Sequence, residues 1–68
     1  MQTAEELIFE LDQIRIAHNL SGRKLCSAAS LNRDIWSHAY NRKNCKLKTF
    51  IRCAQVLGYK VMLVKEKT

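Results

Sequence analysis

The chain has 68 residues, 47% of them hydrophobic and 26% charged, and a formal net charge of +6, so a single small domain near the lower size limit for folding alone is expected, and disorder is not. No apolar run reaches the roughly 18 residues that a membrane span needs, and Glu5 and Glu6 stand where a signal peptide would be basic, which predicts a cytoplasmic protein with no membrane partner. Cys26, Cys45 and Cys53 show no zinc-ligand spacing, and there is no Gly-rich phosphate loop or nucleophile-base arrangement; free thiols are expected, with no metal, no cofactor and no catalysis.

Leu7, Leu11, Ile14 and Ala17 recur at i, i+4, i+7 and i+10, which predicts an amphipathic helix beginning near Thr3. Thr3 with Glu6 reads as a capping box, and Asn19 as the left-handed residue that ends the helix. Ser21 can cap a second helix whose Leu25, Cys26 and Ala29 face the same core. Ser30, Leu31 and Asn32 then form a tight turn, with Asn32 capping a third helix from residue 33 to about residue 41. After a basic loop, residues 42–46, a fourth helix carries Leu47, Phe50, Ile51, Ala54 and Leu57 on one face and stops at Gly58.

Residues 59–64 are rich in β-branched and aromatic side chains and predict one C-terminal β-strand. A lone strand cannot satisfy its own backbone hydrogen bonds, so the simplest partner is the same strand of a second copy across a two-fold axis. Tyr59, Val61, Met62, Leu63 and Val64 are the candidate dimer contacts. Phe9 and Ile16, seven apart on the first helix, either join that interface or pack on the chain's own C-terminal strand.

The charge is divided unevenly. Residues 1–20 carry Glu5, Glu6, Glu10 and Asp12 against Arg15, a net of −3, whereas residues 21–68 carry eleven Lys and Arg against Asp34 and Glu66, a net of +9. Such asymmetry suits either one face that meets a polyanion or an ordinary solvated basic surface.

The stretch SGRKLCSAASLNRDIWSHAYN (residues 21–41) resembles the helix-turn-helix of the phage Cro/repressor type, also called the xenobiotic-response-element family. IRIAHNLS before it and LKTFIRCAQVLG after it are similar to that family's first-helix ending and following core helix, so the resemblance covers about residues 11 to 58. The terminal GYKVMLV is similar to the dimerising strand of small Cro-like proteins and of some antitoxins. The chain departs from the family at four positions: Gly22 replaces a phosphate-contacting glutamine, Ser30 a turn glycine, Trp36 a smaller aliphatic residue and Cys45 a proline. Ser30 then implies a positive φ or an altered turn, and Ala39 is the candidate that makes room for Trp36.

The resemblance implies a mainly α, four-helix domain over residues 1–68 with a C-terminal strand that pairs across a homodimer. It further implies a transcriptional regulator, from a bacterium or phage, that represses through a palindromic double-stranded DNA operator. In this fold the third helix enters the major groove. Helical spacing puts Arg33, Asp34, Ser37 and His38 opposite Trp36 and Ala39, as the base readers: arginine suits guanine, aspartate suits cytosine, and serine and histidine are adaptable donors. Asp34 alternatively orients Arg33. Phosphate contacts are expected from Ser21, Arg23 and Lys24 at the second helix, from Arg42, Lys43 and Lys46 in the loop, and from the neutral donors Asn32, Tyr40 and Asn41. Lys48 and Arg52 read as surface charges, and His18 and His38 have no metal partner. Two alternatives remain open: an antitoxin that represses its operon and binds a toxin, and a phage anti-defence protein that uses the scaffold to inhibit another protein.

Overall fold

A computed structural model describes residues 3–65 of the chain. The described residues are mainly α and form four helices: α1 (Ala4–Ala17), α2 (Gly22–Ala28), α3 (Ile35–Arg42) and α4 (Leu47–Val56). α2 packs against both α3 and α4, and α1 packs against α3. No helix among them is long and apolar enough to cross a membrane.

Local chemistry starts the first two helices where the sequence predicts. Thr3 Oγ1 accepts the Glu6 amide at 3.1 Å, and Glu5 and Glu6 lie in the first turn, where the helix dipole favours negative charge. Ser21 Oγ accepts the Lys24 amide at 3.1 Å in the same way. The third helix departs from expectation. It begins at Ile35, not at residue 33; Asn32 contributes its carbonyl to the Ile35 amide at 3.1 Å, and Asp34 is the cap residue without a side-chain cap bond. Residues 29–34 all belong to the connection, so it is longer than the predicted three-residue turn, and Arg33 and Asp34 stand just before the helix.

All four helices end in one manner. In each, a residue with positive φ follows the last turn, at Asn19 (57°), Ser30 (59°), Lys43 (56°) and Gly58 (84°). The amide of the next residue then reaches back five residues: Leu20 to Arg15, Leu31 to Cys26, Asn44 to Ala39 and Tyr59 to Ala54, at 2.8–3.2 Å. This double turn satisfies carbonyls that a helix end would leave open. Asn19 and Ser30 adopt the left-handed conformation that the sequence suggests, whereas Lys43 does so with no sequence signal.

The core comprises Ile8, Leu11, Leu25, Cys26, Trp36, Ala39, Cys53, Ala54 and Leu57, with Ile14, Leu20, Leu31 and Phe50 packed around it. Leu25, Cys26 and Ala29 are buried as predicted. On α1 the buried face is turned from the predicted stripe: Ile8 and Asp12 are inside, whereas Leu7 and Ala17 are exposed. The same correction applies on α4, where Leu47 is exposed and Cys53 fills the core. The rotation of α1 has a cause. Asp12, 7% exposed, is turned inward because its Oδ1 accepts the indole Nε1–H of Trp36 at 2.9 Å and the Nε–H of Arg15 at 2.7 Å. Arg15 Nη1 also donates to the Leu20 carbonyl at 2.6 Å. One carboxylate thereby joins α1 to α3, and its arginine holds the turn into α2.

The predicted strand at residues 59–64 is absent from the single chain; residues 59–65 carry no regular structure. Its physical reason is the one that makes a lone strand unfavourable, since a ladder needs a second strand and no other strand exists among the described residues. The segment leaves α4 through Gly58, and residues 59–62 line a groove with Leu7, Leu11, Ile14, Phe50 and Ala54. Leu63 and Val64 are almost wholly exposed.

Ser30→Gly and Lys43→Gly should each raise stability, by about 0.5–1 kcal/mol, because the relief of a side chain at positive φ outweighs the added freedom of the unfolded chain; urea unfolding measures both. Asp12 gives a second expectation. Burial alone would raise its pKa, but the hydrogen bonds from Arg15 and Trp36, with the Arg15 charge, outweigh burial and hold it below 3.8. The resulting stabilisation is present above the unfolded-state pKa and is lost as the pH falls through the folded value. Asp12→Asn should cost about 1.5–3 kcal/mol at neutral pH and flatten the acid limb of the stability curve, as read by urea unfolding from neutral pH down to about pH 2.5.

Candidate nucleic-acid interface

With Trp36 and Ala39 turned inward, α3 leaves Ser37, His38, Tyr40, Asn41 and Arg42 on its outside. This exposed strip is the centre of the candidate interface. Its position is fixed from below, because the Trp36 indole is tied to Asp12 and the Trp36 amide donates to Cys26 Sγ at 3.3 Å. Gly22, at the start of α2, lies beside the indole: a Cβ added there would sit 3.7 Å from Trp36 Cδ1, at ordinary contact distance. Ala39 is buried as well, but Gly22 is the neighbour that sequence reasoning did not connect to the tryptophan.

Three concavities border the strip. At its start Asn32, Arg33, Asp34, Ile35 and His38 line a hollow of about 480 Å³. At its end His38, Arg42, Lys46, Asn44 and Thr49 are among the residues around a second hollow, of about 260 Å³. On the side toward α2, Ser37, Tyr40 and Asn41 share a groove with Arg15 and Gly22. The four sequence-proposed readers therefore lie on or beside the start of α3, and His38 separates the two hollows. Arg33 and Asp34 are not helical, contrary to the spacing argument. Arg33 Nε lies 3.9 Å from Asp34 Oδ2, and both side chains are more than half exposed. That is the separation of an ion pair rather than of a hydrogen bond.

The proposed phosphate ligands divide into two groups. Arg42 and Lys46 lie beside His38, and Ser21, Arg23 and Lys24 are exposed around the start of α2. Lys43 lies elsewhere. Its Nζ is 3.3 Å from Glu5 Oε1, and with Tyr40 it borders a groove shared with Glu5, Glu6 and Phe9. Tyr40 touches both settings. Among the dimer candidates, Phe9 and Ile16 are about half exposed and are not among the residues that line the groove bordered by residues 59–62. Asn44 and Thr49 were not singled out from the sequence; as single polar residues near a helix start they carry no distinguishing pattern.

The cysteines are free, with Cys26 and Cys53 buried. Burial raises the Cys45 thiol and, with the neighbouring Cys26 and Cys45, pushes Cys53 up to about 12, which disfavours thiolate chemistry at either. Cys45 donates its amide to Asn44 Oδ1 at 2.9 Å, a bond that a proline in its place could not make. Among the described residues, no group of three or more His, Cys, Asp and Glu is placed to hold a metal ion. No protein family, curated protein or solved structure compared with the chain matches it.

Proposed function

We propose that the chain is a sequence-specific, double-stranded DNA-binding regulator of the Cro/repressor type, acting as a homodimer on a palindromic operator. The observation that carries this reading is the outward strip of α3: Ser37, His38, Asn41 and Arg42 lie clear of the core, Arg33 precedes them, and arginines and lysines flank them. An exposed helix face with donors at its centre and cations beside it has the chemistry of major-groove readout. Base edges are met by Arg33, Asp34, Ser37 and His38, and phosphates by Ser21, Arg23, Lys24, Asn32, Asn41, Arg42 and Lys46.

Lys43 stands outside the phosphate set in this reading, because its ammonium already neighbours Glu5. The second subunit is held through the C-terminal segment, where Tyr59, Val61, Met62, Leu63 and Val64 are exposed in the single chain. Strand pairing across the two-fold axis would supply the backbone partner that this segment lacks.

Selection of bound sequences from a random DNA pool tests the proposal. A palindromic motif is expected, and affinity for it should fall with salt at a slope near −7 if each subunit of the dimer neutralises about four phosphates. Arg33→Ala should cost about 1–3 kcal/mol per half-site and relax one position of the motif, whereas Arg42→Ala should weaken every sequence alike. Recovery of no motif, with a flat salt response, would overturn the reading.

A further inference from the structure

A groove of about 510 Å³ is formed by the start of α1 and the end of α3. Its walls combine two kinds of surface. Ile8, Phe9 and Tyr40 are apolar or aromatic, and Phe9 and Tyr40 are 53% and 41% exposed. Glu5 and Glu6 add two carboxylates at the rim, and one is already approached by an ammonium, with Lys43 Nζ 3.3 Å from Glu5 Oε1. Aromatic faces beside carboxylates suit a cationic side chain carried on an apolar segment. The groove is an unlikely phosphate site for the same reason, since a polyanion would meet Glu5 and Glu6.

The same chain carries a segment of matching chemistry. Residues 63–65 are Leu, Val and Lys, all three exposed, and Leu63 has no cover at all. In an extended conformation Leu63 and Lys65 point to the same side, so one apolar and one cationic side chain enter together. The chain's own tail does not occupy this groove, because residues 59–62 line the separate groove with Leu7, Phe50 and Ala54. We infer that residues 63–65 of a second copy of this chain dock in the groove between α1 and α3, with Leu63 against Phe9 and Tyr40 and Lys65 against Glu5 and Glu6. Under two-fold symmetry the contact is made twice. It assigns Phe9 and Tyr40 to the subunit interface and gives Glu5 and Glu6 a partner there.

The inference needs a second copy but no DNA, so it is tested separately from the proposed operator binding. Sedimentation equilibrium of the full chain without DNA should give a dimer that loosens with salt. Glu5→Lys combined with Glu6→Lys, and separately Lys65→Glu, should each weaken self-association about tenfold or more, because each sets like charges against one another. A mixture of the two variants should then associate more tightly than either alone, since every groove meets a tail of opposite charge. Circular dichroism melts confirm that the variants fold, and Glu5→Gln with Lys65→Gln supplies milder versions in which association should weaken in the same direction. A wild-type monomer, variants that dimerise as tightly as the wild type, or a mixture no tighter than its components would each overturn the inference.

Discussion

Asp12 is a carboxylate set among Ile8, Leu11 and Trp36, and a charge in that position is costly unless its oxygen is occupied by donors. Two donors do so, the indole of Trp36 and the guanidinium of Arg15, and the second is in turn bound to the Leu20 carbonyl. The arrangement fixes three things at once: which face of α1 is buried, where the turn into α2 lies, and how α3 sits above the core. In a domain this small, with few apolar residues to spare, a bond set of this kind restricts the relative placement of helices more sharply than apolar contact alone, which is nondirectional.

The departures from the Cro/repressor pattern become intelligible around this point. A tryptophan in the third helix needs both volume and an acceptor for its N–H. Asp12 is the acceptor, and Gly22 lies beside the indole. Ser30 takes the left-handed conformation with φ of 59°. Cys45 retains an amide that bonds to Asn44. Each of these residues is accommodated locally, and the outer strip of α3 is exposed. In the proposed role, Asp12 and Arg15 act on DNA recognition without touching DNA, by holding the helix that does.

Much of the fold was legible in the sequence because its signals are local. Thr3, Ser21, Asn19 and Gly58 mark helix ends through hydrogen-bonding and φ preferences that act within a few residues, and Leu25, Cys26 and Ala29 follow helical periodicity. What was not legible depends on partners distant in sequence. The stripe of Leu7, Leu11, Ile14 and Ala17 is offset from the buried face because an aspartate adds nothing to an apolar pattern, and the partner that draws Asp12 inward, Trp36, is 24 residues away. Asn32 suits a helix cap by residue type, yet α3 begins later, which moved Arg33 and Asp34 off the helix. Lys43 reads as one more basic loop residue until its proximity to Glu5 is seen. For the terminal segment the sequence pattern is that of a strand, and the described residues of a single chain hold no second strand to complete it.

The central claim is that the buried Asp12, Arg15 and Trp36 set presents the outer strip of α3 to DNA. Nuclear magnetic resonance titration of the chain with the duplex recovered from the random pool tests it most directly. The account predicts that amide and side-chain shifts concentrate at residues 32–42, at Arg23 and Lys24 and at Lys46, with little change at Glu5, Glu6 and Phe9, and that the Trp36 indole proton keeps its bonded position throughout. Shifts centred on the outer face of α1, with the strip of α3 unmoved, would contradict it.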